Sequence, residues 1–268
     1  MDSIEILASA LDWAARMGTA IAILVAVARW MQLKLRRRIV HNFFGGNIVT
    51  TYFPLRVMGG RNVIAEPDFL AAQKLSAFLA KFGITARFKF LQEGDHIDST
   101  DPGIVAICGP KSSQMVKDAL LRDAAVHFVT DTGDYCLQEQ VDRKRIFKSP
   151  RDVTGELGDV GYLARNTIAI NSEKTFISVA GIHAEGSACV ISYITNYRNL
   201  RALYKRTTGS LFSAIISGKY LKHPLQVTAT YLHVLHLRAV ETPTGQDFAV
   251  IERPNSNNVE NHLRSDDV

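Results

Sequence analysis

Residues 175–194, TFISVAGIHAEGSACVISYI, decide how the chain is read. Phe176, Ile177, Val179 and Ala180 form a short apolar, β-branched run of strand length. Gly181 and Gly186 bracket a turn. Ser187 is a favourable N-cap for a helix carrying Val190, Ile191, Ile194, Tyr197 and Leu200 on one stripe. The spacing predicts a buried strand, a glycine turn and a helix. A helix start presents unpaired N–H groups and the positive end of a dipole, so such a turn suits a phosphate or carboxylate. His183 and Glu185 are the reactive side chains inside it.

The same unit occurs upstream. Gly103 to Cys108 (GIVAIC) is wholly apolar, as in a central parallel strand. Gly109-Pro110 turns the chain, and Ser112 or Ser113 caps a helix carrying Met115, Val116, Ala119 and Leu120. Lys111 stands where it can meet a phosphate, although GPKSS is not a Walker A loop.

The flanking segments complete an alternation. Residues 48–58 read as a strand with Pro54 at an edge or bulge. Glu66 to Phe82 reads as a helix, opened by Pro67 and stopped by Gly83. Residues 85–91, 126–130 and 161–170 read as strands, the last turning through 171–174 into the central stretch. Residues 211–220 and 225–237 alternate as two more strands, joined through Lys222-His223-Pro224. This pattern predicts an α/β fold: a mainly parallel sheet, helices on both faces and an antiparallel C-terminal edge. Ligands bind such sheets at the carboxyl ends of strands. If strands 103–108 and 175–181 are neighbours, both glycine turns line one crevice.

Residues 4–33 form a long helix candidate. Its uninterrupted apolar part, Met17 to Ala28, lengthens to the roughly 20 residues of a bilayer span when 11–33 are taken together. Trp13 and Trp30 flank it, and Lys34, Arg36, Arg37 and Arg38 follow as a stop-transfer cluster. The region before the apolar run is not basic and no clear cleavage site precedes the cluster, unlike a signal peptide. The expectation is a single-pass anchor in the cell membrane with the C-terminal domain in the cytoplasm. The alternative is a soluble docking or oligomerisation helix. The chain thus divides into a hydrophobic helix with its basic flank (1–39), a domain (47–240) and a polar, aperiodic tail (252–268) expected to be disordered.

The net charge of +5 is concentrated at the start, with +3 in residues 1–38, which argues against a nucleic-acid-coating surface. Cys108, Cys136 and Cys189 have neither disulfide arithmetic nor zinc spacing, so no metal is expected. There is no G-x-S-x-G, so a serine-nucleophile hydrolase has no support.

The pieces ICGPKSS, DTGDYC and VAGIHAEGS, between about Gly103 and Leu237, resemble a set of uncharacterised prokaryotic proteins with Rossmann-like domains. Their pattern is a strand ending in G-[GP], an acidic-aromatic segment, and a strand leading into A-G-I-H-x-x-G-[ST]. The chain is also distantly similar to SLOG-type nucleotide-sensing domains, without their diagnostic motif. Its arrangement is similar to that of cyclic-nucleotide-activated membrane effectors. The resemblance implies a Rossmann-like fold rather than an activity.

Together these features suggest a membrane-tethered sensor or effector for a nucleotide or other small phosphate-bearing ligand, with a homo-oligomer through its first helix as a further expectation. The ligand-binding candidates are Gly109, Pro110, Lys111, Gly181, His183, Gly186 and Ser187. An alternative is an enzyme hydrolysing a nucleotide or its glycosidic bond, with His183 as acid/base and Glu185 or Asp131 as its partner. A membrane-associated scaffold is a third reading. Asp131 and Asp134 could bind a ribose hydroxyl or a divalent metal, or equally simply form a turn, and Glu185 would repel a bound phosphate.

Overall fold

The computed structural model describes residues 3–92, 95–109, 112–131, 133–141, 145–169 and 173–238. In chain order the elements are α1 (Ser3–Phe44), β1 (Ile48–Pro54), β2 (Arg56–Met58), β3 (Arg61–Val63), α2 (Glu66–Ala80), β4 (Thr85–Leu91) and β5 (Ile104–Ile107). These are followed by α3 (Gln114–Leu121), β6 (Val126–Asp131), β7 (Asp134–Glu139), β8 (Ile146–Phe147) and α4 (Pro150–Val153). The chain continues with β9 (Gly158–Thr167), β10 (Thr175–Gly181), α5 (Ala184–Ile194), α6 (Tyr197–Thr207), β11 (Leu211–Leu221) and β12 (Gln226–Arg238). The expected tail at 252–268 lies outside the described residues, as do Pro110, Lys111 and the turn residues 171–172.

Seven strands form the central sheet in the order β12-β11-β9-β10-β5-β1-β4. β4, β1, β5 and β10 are mutually parallel. β9 runs against both β10 and β11, and β12 runs against β11. Five of the seven strands therefore share one direction, and the reversed ones lie in the C-terminal half, β12 at its outer edge. The four residues of β5 are all buried, as expected of a short apolar run in mid-sheet.

Both faces are covered, by different means. The end of α1, α2, α5 and α6 bury Phe43, Leu75, Leu79, Val190, Ile191, Leu200 and Leu203 against Val49, Val105, Val179 and Phe212. On the other face α3 shares the cover with a three-stranded sheet, β6-β7-β8. The sequence reading anticipated β6 but not that it leaves the main sheet. Buried polar pairs fix this small sheet in place. Asp123, just before β6, accepts from the amides of Ala125 and Val126 and from the Tyr162 hydroxyl on β9 (2.6 Å). Glu139 on β7 meets His236 Nε2 on β12 at 2.8 Å.

Three local readings change. The helix runs on past the 4–33 candidate, through His41–Phe44, because Val40, Phe43 and Phe44 enter the core. Pro54 ends an interior strand instead of marking an edge, and the hairpin β2–β3 follows it. The final long helix is two: Thr195 closes α5, and Asn196 caps α6 by accepting from the Arg198 amide at 3.0 Å.

Within α1, Met17–Phe44 is long and apolar enough to cross a membrane, with a mean hydropathy of 1.3. Side chains 17–38 are exposed, and burial begins at Val40 with no break in the helix.

Candidate functional site

β1 is followed by α2, which packs on one face and leads to β4 on one side of β1. β5 lies on the other side of β1 and is followed by α3, on the opposite face. The two connections leave in opposite directions, so the carboxyl ends of β1 and β5 form a topological switch point, where α/β sheets open a crevice. A cleft of about 430 Å³ occupies that position. Pro54, Cys108–Gly109 and Gly181 bring the ends of β1, β5 and β10 to its floor. The neighbour relation on which a shared crevice depended holds, because β10 pairs with β5 in parallel register.

Its walls come from elsewhere. Arg56 opens β2, Asp68 projects from the first turn of α2, Phe128 and Tyr135 come from β6 and β7, and Arg151 from α4. His183, Glu185 and Ser187 face it from the start of α5. Gly186 sits one layer behind, against β9.

The turn after β10 is more occupied than its sequence indicates. α5 begins at Ala184 with His183 as N-cap, so Ser187 lies inside the helix, where the sequence reading had it capping. The Ser187 hydroxyl accepts from the Gly181 amide at 3.0 Å. The Ile182 amide bonds the Val160 carbonyl, and the Gly186 amide bonds the His183 carbonyl. The His183 amide donates to the buried carboxyl of Asp159 at 3.1 Å. Four amides of this turn are committed within the protein, one to a carboxyl group standing where a ligand anion would sit.

The glycines explain this compactness. A Cβ on Gly186 would lie 2.4 Å from the Val160 carbonyl oxygen, and one on Gly181 2.6 Å from the Ser187 nitrogen. Helix and strand touch backbone to backbone there. At Gly109 a Cβ would meet nothing within 4 Å. Gly109 lines the cleft with open space beside it.

Side chains above the turn pair across α4 and α5. His183 Nε2 lies 2.8 Å and 2.9 Å from the two carboxylate oxygens of Asp152. Arg151 Nη1 meets Glu185 Oε1 at 3.1 Å. Neither Glu185 nor Asp131 is the partner of His183. Asp131 pairs with Lys148 at 2.7 Å and closes the β6–β7 hairpin opposite Asp134, apart from the residues lining the cleft. The Arg151 pairing also answers the expectation that Glu185 would repel a phosphate, since a cation offsets it.

Two carboxyl groups in and below the cleft are costly. Asp68 is 4% exposed, and burial raises its pKa to about 6 against the pull of Arg56, whose Nη2 is 3.8 Å away. Asp159 is fully buried and likewise raised to about 6, burial outweighing the amides of Val160 and His183. Burial pushes the Cys108 thiol up to about 12, so the cysteine on the cleft floor is no nucleophile at neutral pH. Among the described residues no cluster of His, Cys, Asp and Glu could hold a metal ion.

Arg56, Asp68, Phe128, Tyr135, Arg151, Asp152 and Asp159 were not singled out from sequence. One of them carried a signal. Asp68 falls on the same helical stripe as Ala71, Ala72, Leu75 and Leu79, which marks a carboxyl on a buried face.

Fold and cleft define a Rossmann-like α/β domain carried on a long apolar N-terminal helix. No family model matches this chain, and no curated protein does.

Proposed function

We propose that the domain is the cytoplasmic ligand-binding part of a membrane-tethered sensor, and that its ligand is a nucleotide or a similar phosphate-bearing small molecule. The observation that carries this reading is the switch-point cleft, where Gly109 with open space beside it, two arginines and two aromatic rings converge. Phe128 and Tyr135 offer a wall for a planar base. Among the described residues, Arg56 and Arg151 line the cleft as cations for a phosphate. Asp68 suits a ribose hydroxyl. Because the amides of Gly181, Ile182, His183 and Gly186 are already bonded, the arginines and the Gly109 side carry most of the contact with the anion. The apolar helix supplies the tether, with its basic flank in the cytoplasm.

Calorimetry of the whole protein against a panel of nucleotides and cyclic nucleotides tests this, at concentrations where millimolar affinity is visible. Binding of at least one, lost in Arg151→Ala with Arg56→Ala, is expected. No heat from any of them overturns it.

The His183–Asp152 pair favours a second reading, in which a carboxylate orients the imidazole as acid/base for hydrolysis of the bound ligand. That reading expects base or phosphate release from a panel member, lost in His183→Ala with binding retained. Binding without release from any of them removes it.

A further inference from the structure

The cleft and the exposed part of α1 lie at opposite ends of the sheet. α1 enters at the start of β1, whereas the cleft is at the finish. Three segments meet where α1 enters. The Arg36 guanidinium sits 5.2 Å from the ring centre of Tyr197, the first residue of α6. Phe82, just past α2, packs 5.9 Å from the same ring. Arg37 Nη2 donates to the Gly83 carbonyl at 3.5 Å. Six residues further along α1, Asn42 donates to the Tyr204 hydroxyl. α6 therefore runs beside α1 in the same direction, with its start toward the apolar segment.

Lys81 adjoins Phe82 and Arg198 adjoins Tyr197, so both lie at this end of the domain, close to Arg36 and Arg37. All four are exposed, and none of them has a carboxylate partner among the described residues. No Asp or Glu occurs in residues 17–44, 80–87 or 196–209. Arg36 lies five residues beyond Met31, about 7.5 Å along a helix, comparable to the thickness of a headgroup layer.

We propose that Lys81 and Arg198, with Arg36 and Arg37, form a docking surface for the phosphate groups of anionic phospholipids, which seats the α/β domain directly on the bilayer. The inference rests on the reading of α1 as a membrane anchor. It goes beyond that reading, because Lys81 and Arg198 are remote in sequence from the basic flank and join it only through the fold. Near a membrane surface each such cation strengthens attachment by about fivefold, screened by salt.

The test uses the full chain in nanodiscs of phosphatidylcholine, with or without phosphatidylglycerol, read by hydrogen exchange. Peptides covering 79–86 and 195–202 should exchange several-fold more slowly in the anionic discs. High salt and the double variant Lys81→Gln/Arg198→Gln should abolish the difference. Lys205→Gln/Arg206→Gln, further along α6, should keep it. Matching melting curves would show that the variants fold. Equal exchange in the two discs, with the protein still disc-bound, overturns this proposal alone, as does loss of the effect only in the Lys205/Arg206 variant. Failure of the chain to enter discs overturns the anchor reading and this proposal together.

Discussion

Two glycine turns bound the cleft, and they resemble each other in sequence far more than in space. The turn after β10 is closed: Gly181 and Gly186 let α5 touch β9 and β10 backbone to backbone, and four of its amides are bonded internally. At Gly109, just past β5, a side chain would enter empty space. Glycine thus has two uses in one cleft. It permits close packing in the first turn and leaves room in the second.

The sharpest way to break this comparison is a matched pair of variants. Gly186→Val forces carbons into the Val160 carbonyl and the Asp159 carboxyl, and should cost about 3 kcal/mol or more in urea unfolding. Gly109→Val should change stability by no more than about 1 kcal/mol, yet narrow the cleft and weaken any nucleotide response. Equal costs at the two positions would refute the distinction.

A smaller effect separates the two buried carboxyl groups. Each has a folded pKa of about 6, above the ordinary value, so the fold favours the protonated form. Their contribution is fully present below about pH 4 and is lost as pH rises through 6. Asp68, on the open side, has Arg56 at 3.8 Å to offset its burial and feels the like charge of Glu185, so Asp68→Asn should stabilise the protein by about 2 kcal/mol at pH 8 and little at pH 4. Asp159, under the closed turn, accepts from two amides. Asp159→Ala would leave both unpaired and should destabilise at either pH by roughly 2 kcal/mol. Unfolding curves at the two pH values distinguish the signs. The least effect belongs to Ser187→Ala, which removes one hydrogen bond to the Gly181 amide and should cost about 1 kcal/mol.

The sequence carried the periodic elements well. β4 and β10 lie where alternation and the apolar run put them, and α2 runs from Glu66 as its Pro67 start predicts. Less legible were features set by long-range contact. Nothing local distinguishes β6 as leaving the main sheet, because its strand pattern is the same whichever sheet it joins. The break at Thr195 is hidden because the apolar stripe runs on from Ile194 to Leu200. In the cleft, His183 and Gly109 were readable as turn residues at strand ends. Arg56, Arg151 and Tyr135 were not, since each reaches the cleft from an element whose position only the tertiary fold decides.

The closed turn also bears on how such a domain could diversify. Gly181 and Gly186 are locked by backbone contacts and Asp159 by two amides, so exchanges there cost stability before they alter recognition. Arg56, Phe128, Tyr135 and Arg151 stand on four separate elements around the opening and are partly exposed. Heritable change in ligand preference is therefore channelled to the rim, where single substitutions are cheap. Descendants could differ widely in what they recognise while keeping G-x-x-x-x-G-S intact at the base, and their similarity would then report shared architecture without shared chemistry.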